Sequence, residues 1–382
     1  MFLKSGVLGR RRAKVLFLHN EASNSGSTRL LLDFLKFLQV QKPEFSPVLC
    51  LYRAGALLGE FKSLGFPVFV FDPETDANSR KKSKFERMLG LIWFSTMLMR
   101  IRPVLLYSNT VMSSTSVLVA GCVGIRTLVH VHEGPRFLDR TGAKLRLSTM
   151  VTDRFVTVSE YCASGIRDVL QRPADVVRNW TSIEKAQGPG KSATLESPVV
   201  IGMVGTIDRN KHHLLALMAI ASLKGRCAKP VRIRIIGPAA DIEYARELEH
   251  TAVLLGVSDF VTFAGTIANP EEIYRGLDVV LVASMEETFS LVALEAACLG
   301  KTIVAANVGG IREAIPADAR AIFFRAGDWR SLADALGSAL DEHGMVRSRE
   351  KSVAASDVGA TATLPHAGPQ RLLELIRLEL AA

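Results

Sequence analysis

The stretch Ser284–Gly310, SMEETFSLVALEAACLGKTIVAANVGG, contains the residues best suited to holding an anionic ligand. Its Ser290 is placed to cap a helix that Gly300 ends in a left-handed turn. Glu287 lies before this helix and Glu295 lies within it. Free N–H groups and the helix dipole attract anions at such a helix start, and carboxylates accept hydrogen bonds from hydroxyls. The pattern predicts a ligand that carries both phosphate and hydroxyl groups.

Two apolar runs position these residues. Val279–Ala283 predicts a strand before the acidic loop, and Thr302–Ala306 predicts a second strand before the Gly309-Gly310 turn, after which a helix opens at Ile311. Each strand therefore delivers a loop to a helix N-terminus.

Glu287, seven residues and then Glu295, followed by Gly300 and Gly309-Gly310, resemble the E-x7-E signature of family-4 retaining glycosyltransferases. The resemblance implies an α/β chain with the GT-B fold, two Rossmann-like doubly wound domains facing across a cleft. It also implies a nucleotide-sugar as donor substrate, with no metal and no further cofactor. It covers roughly Lys14 to Leu340.

The family's pattern assigns roles to this stretch. Glu295 matches the residue that binds the ribose hydroxyls, and Glu287 matches the catalytic position near the transferred sugar. Phe289, Ser290 and Leu291 match positions whose backbone faces the donor. Thr288 and Ser290 stand where family members usually have Gly, and a side chain there narrows the approach of a ligand to the backbone. This difference predicts altered donor choice or reduced activity.

A second candidate loop, GTIDRNK at 205–211, follows a predicted strand and opens a helix expected at Lys211–Lys224. Cleavage of a nucleotide-sugar leaves negative charge on a diphosphate, so preorganised cations and N–H donors are needed there. Lys211 matches the family's Lys, whereas Thr206 stands at the position of its Arg. Arg209 is either the replacement cation or a solvated surface charge. Gly205 and Thr206 belong to the same expected donor site.

The N-terminal half begins with a strand, Lys14–His19, a polar loop, Glu21–Thr28, and a helix expected at Arg29–Val40. In the family this first loop is glycine-rich and faces the cleft. Gly26 is the glycine kept here, and the resemblance places it at the donor.

Two further strands deliver polar residues in this half. Leu105–Tyr107 leads to Asn109, and Thr127–Val131 leads to His132 and Glu133. The resemblance places Asn109 and Glu133 on the acceptor side and His132, as a catalytic residue, near the sugar and the incoming hydroxyl. A satisfied structural histidine is the alternative for His132. A metal site made of His130, His132 and Glu133 lacks further ligands at suitable spacing.

The composition fits a globular chain of two domains, with 382 residues, 48% apolar and 22% charged. Residues 1–200 hold 28 Lys and Arg against 16 Asp and Glu, whereas 201–382 hold 19 against 22. The positive N-terminal half favours an anionic membrane or acidic acceptor. No nucleic-acid motif accompanies it. Five dispersed Cys and the lack of a signal peptide predict a cytoplasmic protein.

The expected domains are residues 1–184 for the acceptor, a linker at 185–198, 199–345 for the nucleotide-sugar, and a variable tail at 346–382. Its last helix, Gln370–Leu380, often crosses back to the N-terminal domain in GT-B enzymes. Ser79–Arg102 joins a basic head to an apolar helix. It is either a crossover helix packed on the sheet or a helix that lies peripherally on a membrane surface.

The sequence predicts a metal-independent glycosyltransferase that moves a sugar to a hydroxyl of a glycan or lipid-linked acceptor, in cell-surface polysaccharide or glycolipid synthesis. A catalytically weakened nucleotide-sugar-binding subunit and a nucleotide-sugar epimerase of the same fold are the alternatives.

Overall fold

The computed structural model of the protein describes residues 12–72, 84–183, 198–224, 230–267, 269–342 and 367–382. Its contacts divide the chain into two units. The first comprises the chain up to Val158, Cys162–Val177 and Pro369–Ala382, and the second comprises Ser159–Tyr161 and Arg178–Gly368. The expected linker, except for its last residue, and most of the expected tail lie outside the described residues.

The first unit contains a parallel seven-stranded sheet in the order β3-β2-β1-β4-β5-β6-β7. Its strands are β1 (Lys14–Glu21), β2 (Ser46–Arg53), β3 (Val68–Asp72), β4 (Leu105–Ser108), β5 (Arg126–Val131), β6 (Arg154–Thr157) and β7 (Asp175–Val176). Its helices are α1 (Gly26–Gln41), α2 (Leu58–Ser63), α3 (Lys84–Ile101), α4 (Ser114–Cys122), α5 (Pro135–Thr149) and α6 (Glu160–Leu170).

The second unit contains a six-stranded sheet in the order β10-β9-β8-β11-β12-β13, again parallel. Its strands are β8 (Val199–Val204), β9 (Val231–Ile236), β10 (Val261–Gly265), β11 (Val279–Val282), β12 (Thr302–Ala306) and β13 (Ala321–Phe324). Its helices are α7 (His213–Leu223), α8 (Ile242–Leu254), α9 (Pro270–Tyr274), α10 (Leu291–Cys298), α11 (Ile311–Ala314) and α12 (Trp329–Glu342).

The central strands of both sheets are apolar along their whole length because helices cover both faces of a parallel sheet. All residues of β11 and β12 are buried, and those of β4 are buried as well. Repeated strand–helix units of this kind give two doubly wound domains, which confirms the predicted α/β class.

In both sheets the strand order reverses beside the first strand of the unit. In the first unit this point lies between β1 and β4, and in the second it lies between β8 and β11. Open α/β sheets bind ligands beyond the carboxyl ends of the strands at such a point. The loops after β1, β4, β8 and β11 are therefore the expected ligand loops of the two units.

Helices α1 and α7 begin at other residues than the sequence predicted, and the last helix begins at Ala367, three residues before the expected Gln370. Helix α1 begins at Gly26, three residues before the expected Arg29, because the polar residues of the loop already adopt helical geometry. Lys211 does not open a helix but ends a 3-10 turn, Arg209–Lys211, capped by the Asp208 side chain. His212 then adopts a left-handed conformation with φ of 56°, and α7 begins after it.

The final helix, α13 (Ala367–Ala381), packs on the first unit, as the resemblance led us to expect. Glu379 accepts hydrogen bonds from Arg126 at 2.6 Å and from Arg154 at 2.6 Å, and its side chain is 4% exposed. Near the surface, Arg377 pairs with Glu44. A buried carboxylate between two arginines holds the end of the chain against strands β5 and β6.

No helix in the described part of the chain is long and apolar enough to cross a membrane.

Candidate functional site

The two residues predicted to handle the sugar and the diphosphate in the second unit are in direct contact. Nζ of Lys211 donates to Oε1 of Glu287 at 2.6 Å, and the buried hydroxyl of Ser284 donates to the same oxygen at 2.8 Å. The side chains of Lys211 and Glu287 are 24% and 11% exposed. Because charge-assisted bonds hold Oε1, the carboxylate has a fixed position at the carboxyl end of β11.

The loop that carries Glu287 is shaped by close backbone contact with the turn before α11. The N–H of Gly310 donates to the Glu287 carbonyl at 2.9 Å. A Cβ on Gly309 would lie 2.0 Å from that carbonyl oxygen, and one on Gly310 would lie 2.1 Å from the oxygen of Thr288. The Gly309-Gly310 pair is therefore required by the path of the Glu287 loop.

Asn210 joins the loops that follow β8 and β11. Its side chain donates to the Glu286 carbonyl at 3.1 Å and accepts from the Glu286 N–H at 3.2 Å, while its carbonyl accepts from the N–H of Met285 at 2.8 Å. Gly205 also packs tightly, because a Cβ at Gly237 would lie 1.9 Å from its carbonyl oxygen. The Asn210 contacts bring the Lys211 loop and the Glu287 loop together.

Helix α10 begins as the sequence predicted. Ser290 is its N-cap, and the Ser290 hydroxyl accepts from the N–H of Ala293 at 3.3 Å. Phe289 and Ser290 are buried, whereas Thr288 and Leu291, the first residue of the helix, are half-buried. The Ser290 side chain is thus directed into the helix end.

Glu295 lies within α10, half-buried, eight positions after Glu287. The hydroxyl of the buried Tyr274 donates to Oε2 of Glu295 at 2.6 Å. This bond orients the carboxylate that the resemblance assigns to ribose.

Arg209 lies at the surface of the second unit. Its guanidinium pairs with Glu247 at 2.9 Å and with Asp241 at 3.8 Å, and it lies over the ring of Tyr244. Its side chain is 65% exposed. In this geometry two carboxylates neutralise Arg209, and Lys211 is the cation that lies beside Glu287. Thr206 follows Gly205 and is half-buried.

In the first unit, residues at the ends of three strands meet around Asn109. Its side chain lies 3.2 Å from Nε2 of His132 and 3.3 Å from Nδ1 of His19, and it donates to the Ser27 carbonyl at 3.0 Å. Tyr107 donates to Asn109 at 3.3 Å. Asn109 is buried and His132 is half-buried.

Three histidines lie around Asn109 and Tyr107, namely His19, His130 and His132, and we call them the histidine cluster. All three are held neutral. Burial lowers the pKa of His19 to about 4 and that of His130 to about 3. Burial also lowers the pKa of His132 well below its usual value, and charge on His130 or His19 would lower it further. Proton uptake in this cluster is costly because a cation would lose its hydration.

Glu133 makes its side-chain hydrogen bonds to residues of the first unit. Its carboxylate accepts hydrogen bonds from the Thr110 hydroxyl and from the His132 N–H. Burial raises the pKa of Glu133, and these bonds offset part of that rise. Glu133 therefore links the segment that follows β4 to the segment that follows β5.

Gly26 is the exposed first residue of α1. The preceding Ser25 bonds through its hydroxyl to the hydroxyl of Thr28 at 2.8 Å, and Thr28 in turn contacts Nε2 of His19 at 2.9 Å. The first loop is thereby joined to the histidine cluster.

The residues in these contacts that were not predicted for the site include His19, Asn210, Tyr274 and Ser284. His19 and Ser284 each directly end or follow a predicted strand, which is a usable signal. Asn210 lies in the predicted loop 205–211, whereas Tyr274 carries no such signal. Within the described residues, no three His, Cys, Asp or Glu side chains are grouped as metal ligands.

Residues 185–355 match the model of the family described as glycosyl transferases group 1. The similarity to that family is therefore shown for this part of the chain. The match contains Lys211, Glu287 and Glu295, the residues that the contacts above bring together or orient.

Relatives of known name match a limited part of the chain. A D-inositol 3-phosphate glycosyltransferase from Corynebacterium urealyticum is 37% identical over 152 residues, which is 38% of this chain and 36% of that protein. The protein of that name from Mycobacteroides abscessus is 33% identical over 200 residues, 50% of this chain and 43% of that protein. The chain thus spans about two fifths of the length of these relatives.

Solved structures match over nearly the whole chain. The Anabaena protein HepE, in complex with UDP and glucose, has a TM-score of 0.72 at 20% identity, covering 87% of this chain and 91% of that one. Sucrose-phosphate synthase from Thermosynechococcus elongatus has a TM-score of 0.68 at 15% identity, covering 97% and 98%. These likenesses establish the GT-B fold with its two Rossmann-like domains.

Proposed function

We propose that this chain is a retaining glycosyltransferase that moves a sugar from a nucleotide-sugar to a hydroxyl of a glycan or lipid-linked acceptor. This proposal rests on one observation. Lys211 contacts Glu287 just before the N-terminus of α10, the helix that contains Glu295. Relatives named as glycosyltransferases and a structural neighbour bound to UDP and glucose support it.

The proposal gives each of these residues a task. Glu295, oriented by Tyr274, would accept bonds from the ribose hydroxyls. Lys211 and the N–H groups that open α10 would stabilise the diphosphate as it leaves, since both are preorganised for negative charge. Glu287 would stabilise the positive charge that develops at the anomeric carbon. His132 and Asn109 would face the acceptor hydroxyl, and the retention of stereochemistry is what the family implies.

The alternative of a weakened binding subunit depends on Thr206, Thr288 and Ser290. The buried position of Ser290 removes part of its support, because the hydroxyl caps α10 and is not free to narrow the approach to the backbone. The epimerase alternative is disfavoured by the E-x7-E string that Glu287 and Glu295 form.

A panel of nucleotide-sugars tests the three possibilities. Free nucleotide released together with transferred sugar marks a transferase, and an altered sugar on an intact nucleotide marks an epimerase. Binding without turnover marks a subunit. The Glu287→Gln variant is the control, since it should retain the fold and lose transfer.

We further propose that transfer requires no metal ion, because Lys211 and helix N–H groups can carry the charge that a metal would otherwise neutralise. Catalysis should then continue in excess EDTA. Full loss of activity in EDTA with restoration by manganese would contradict this proposal.

A membrane-associated acceptor is the finer part of the proposal, and helix α3 supports it. One face of α3 packs in the core through Phe94, Leu98 and Ile101. Its other face exposes a stripe, Phe85, Met88, Ile92 and Met99, whose exposed fractions are 62%, 50%, 54% and 68%. Positions three, four and seven apart share one helix face. The helix thus serves the packed role that the sequence suggested and still presents an apolar surface.

The basic residues that precede this stripe, Arg80, Lys81 and Lys82, lie outside the described residues. Their position in the sequence next to the stripe suits the surface of an anionic leaflet, where each cation adds about 1 kcal/mol of attraction. We infer reversible peripheral contact at the membrane surface, with the acceptor anchored in or near that surface.

A further inference from the structure

The orientation of the Asn109 side chain is determined by one backbone contact. Its amide nitrogen lies 3.0 Å from the Ser27 carbonyl oxygen. A carbonyl oxygen can accept a hydrogen bond but cannot donate one, so the NH2 group of Asn109 must face Ser27. The Oδ1 atom therefore faces the opposite way, toward Tyr107 and His132, at 3.3 and 3.2 Å.

This orientation determines which nitrogen of His132 carries the proton. Oδ1 of Asn109 can only accept, so Nε2 of His132, at 3.2 Å, must donate. A neutral imidazole has one N–H group, and His132 is held neutral by burial. The lone pair of His132 is consequently on Nδ1.

The same contacts determine the tautomer of His19. The second N–H of the Asn109 amide points to Nδ1 of His19, so His19 accepts there and donates through Nε2 to Thr28. Tyr107 has one proton and two acceptors within reach, Oδ1 of Asn109 at 3.3 Å and Nδ1 of His130 at 2.6 Å, so these contacts do not assign the tautomer of His130. Nε2 of His130 finds no hydrogen-bond partner among the described residues.

We propose that Asn109, oriented by the Ser27 carbonyl, is a positioning residue that holds His132 as the Nε2–H tautomer and so presents Nδ1 as a hydrogen-bond acceptor for a substrate hydroxyl. This proposal rests on the proposed glycosyl transfer and specifies its recognition chemistry. His132 would recognise a hydroxyl group, and it would not act as a cation for phosphate. His132 is half-buried, so the residue keeps some contact with solvent.

The arrangement resists change because its members are coupled. A proton added to Nδ1 of His19 would point at the Asn109 NH2 group, and reversal of the amide would place its NH2 group against Nε2–H of His132. Either change leaves two donors face to face in a buried site, which is costly. The titratable groups that contact His132 or its partner Asn109 are His19 on β1, Tyr107 on β4, and His130 and Glu133 on or beside β5.

Nitrogen-15 NMR of the full chain labelled in histidine tests the tautomer directly. A His132→Gln variant identifies the signals of His132. In the wild type at neutral pH, Nε2 of His132 should show the shift of a protonated nitrogen and Nδ1 that of a nitrogen with a lone pair. A proton on Nδ1 would overturn the proposal, whether or not the protein shows transferase activity.

Two variants separate positioning from general stability. Asn109→Leu should release the tautomer of His132 and lower kcat on the order of tenfold with little change in the donor KM, as expected when one oriented hydrogen bond is lost. The dependence of kcat on pH should also shift in this variant, because the pKa of His132 changes when its hydrogen-bond partner Asn109 is removed. Tyr107→Phe removes only the bond on the far side of Asn109, so the His132 signals and kcat should stay near the wild type while those of His130 change.

If the Asn109→Leu variant does not fold, the NMR spectra of the wild type and of the Tyr107→Phe variant still test the proposal. Movement of the His132 tautomer in Tyr107→Phe would show that Asn109 alone does not hold it, and the proposal would be wrong. Correct tautomers in a protein that transfers no sugar to any acceptor would overturn the proposed function and leave the hydrogen-bond network in place.

Discussion

Nζ of Lys211 lies 2.6 Å from Oε1 of Glu287, although the two residues are 76 positions apart in the sequence. The pair occupies the point where the strand order of the second sheet reverses. Each charge neutralises the other before any ligand arrives, so an incoming diphosphate must compete with Glu287 for the Lys211 cation. Both side chains are mostly buried, which strengthens that competition relative to a pair in open solvent.

The first prediction follows from this competition. Glu287→Gln should bind free UDP about fivefold more tightly, since Lys211 loses its anionic partner, a gain of about 1 kcal/mol. The same variant should lose transfer activity. Lys211→Met should weaken both binding and turnover. Calorimetry with UDP compares the variants, and weaker UDP binding by Glu287→Gln would contradict the idea that the ion pair opposes the ligand.

The second prediction concerns ribose. Glu295→Ala should weaken nucleotide-sugar binding, because each hydrogen bond from a hydroxyl to the carboxylate is worth about 1.5–3 kcal/mol. Tyr274→Phe is the matched control, since it keeps the carboxylate and removes only the bond that orients it. Its loss of affinity should be smaller. Donor affinity unchanged in Glu295→Ala would remove Glu295 from the donor site.

The third prediction compares two glycines with left-handed backbones. Gly300 has φ of 65° with open space around its Cα, whereas Gly309 has φ of 52° and the Glu287 carbonyl lies where a Cβ would go. Gly300→Ala should cost about 1–2 kcal/mol, the strain of the left-handed conformation alone. Gly309→Ala adds a steric clash and should cost about 3–4 kcal/mol. Urea unfolding measures both, and equal losses would show that the Glu287 loop moves aside at little cost.

The continuous apolar runs were a reliable guide to the strands. Strand β12 begins and ends where the sequence predicted, and β11 ends one residue earlier than predicted, because a strand covered on both faces needs apolar residues throughout. The cap at Ser290 and the stop at Gly300 were equally local signals, and the structure has both.

Contacts between residues that are far apart in the sequence have no local sequence signal of this kind. His19 and Asn109 are 90 positions apart, and although each lies at the end of a predicted strand, the sequence does not show that these two strands are neighbours in the sheet. The break before α7 was also hidden, because His212 takes a left-handed conformation that glycine or asparagine would have indicated. The pairing of Arg209 with Glu247 and Asp241 likewise depends on tertiary packing.

The fourth prediction concerns the end of the chain. Burial would raise the pKa of Glu379, but hydrogen bonds from Arg154 and Arg126 outweigh it, and the pKa is lowered in the folded protein. A lowered folded pKa means that the carboxylate stabilises the fold above its unfolded pKa, near 4.3. That stabilisation is lost as the pH falls through the lower, folded pKa.

Glu379→Gln should therefore destabilise the protein by about 2–3 kcal/mol at pH 7 and by less under acidic conditions. Glu44→Gln is the control, because the Glu44 carboxylate pairs with Arg377 of the same helix but is 57% exposed. Its loss should stay below about 1 kcal/mol. Urea unfolding at several pH values would contradict the prediction if both variants lost the same stability or if the loss in Glu379→Gln did not depend on pH.

The last prediction concerns the exposed stripe on α3. Wild-type protein should sediment with anionic lipid vesicles at low salt and be released as salt rises, because screening weakens attraction to the leaflet. Changing Phe85, Met88, Ile92 and Met99 to Ser should weaken binding at every salt concentration, and changing Arg80, Lys81, Lys82 and Lys84 to Ser should remove mainly its salt-dependent part. The control changes Ile242, Val253 and Leu254 on α8, which are 61%, 64% and 72% exposed, and should bind as the wild type does. Equal binding by all variants, or none by the wild type, would make the α3 stripe an ordinary exposed surface and the acceptor a molecule that is not held at a membrane.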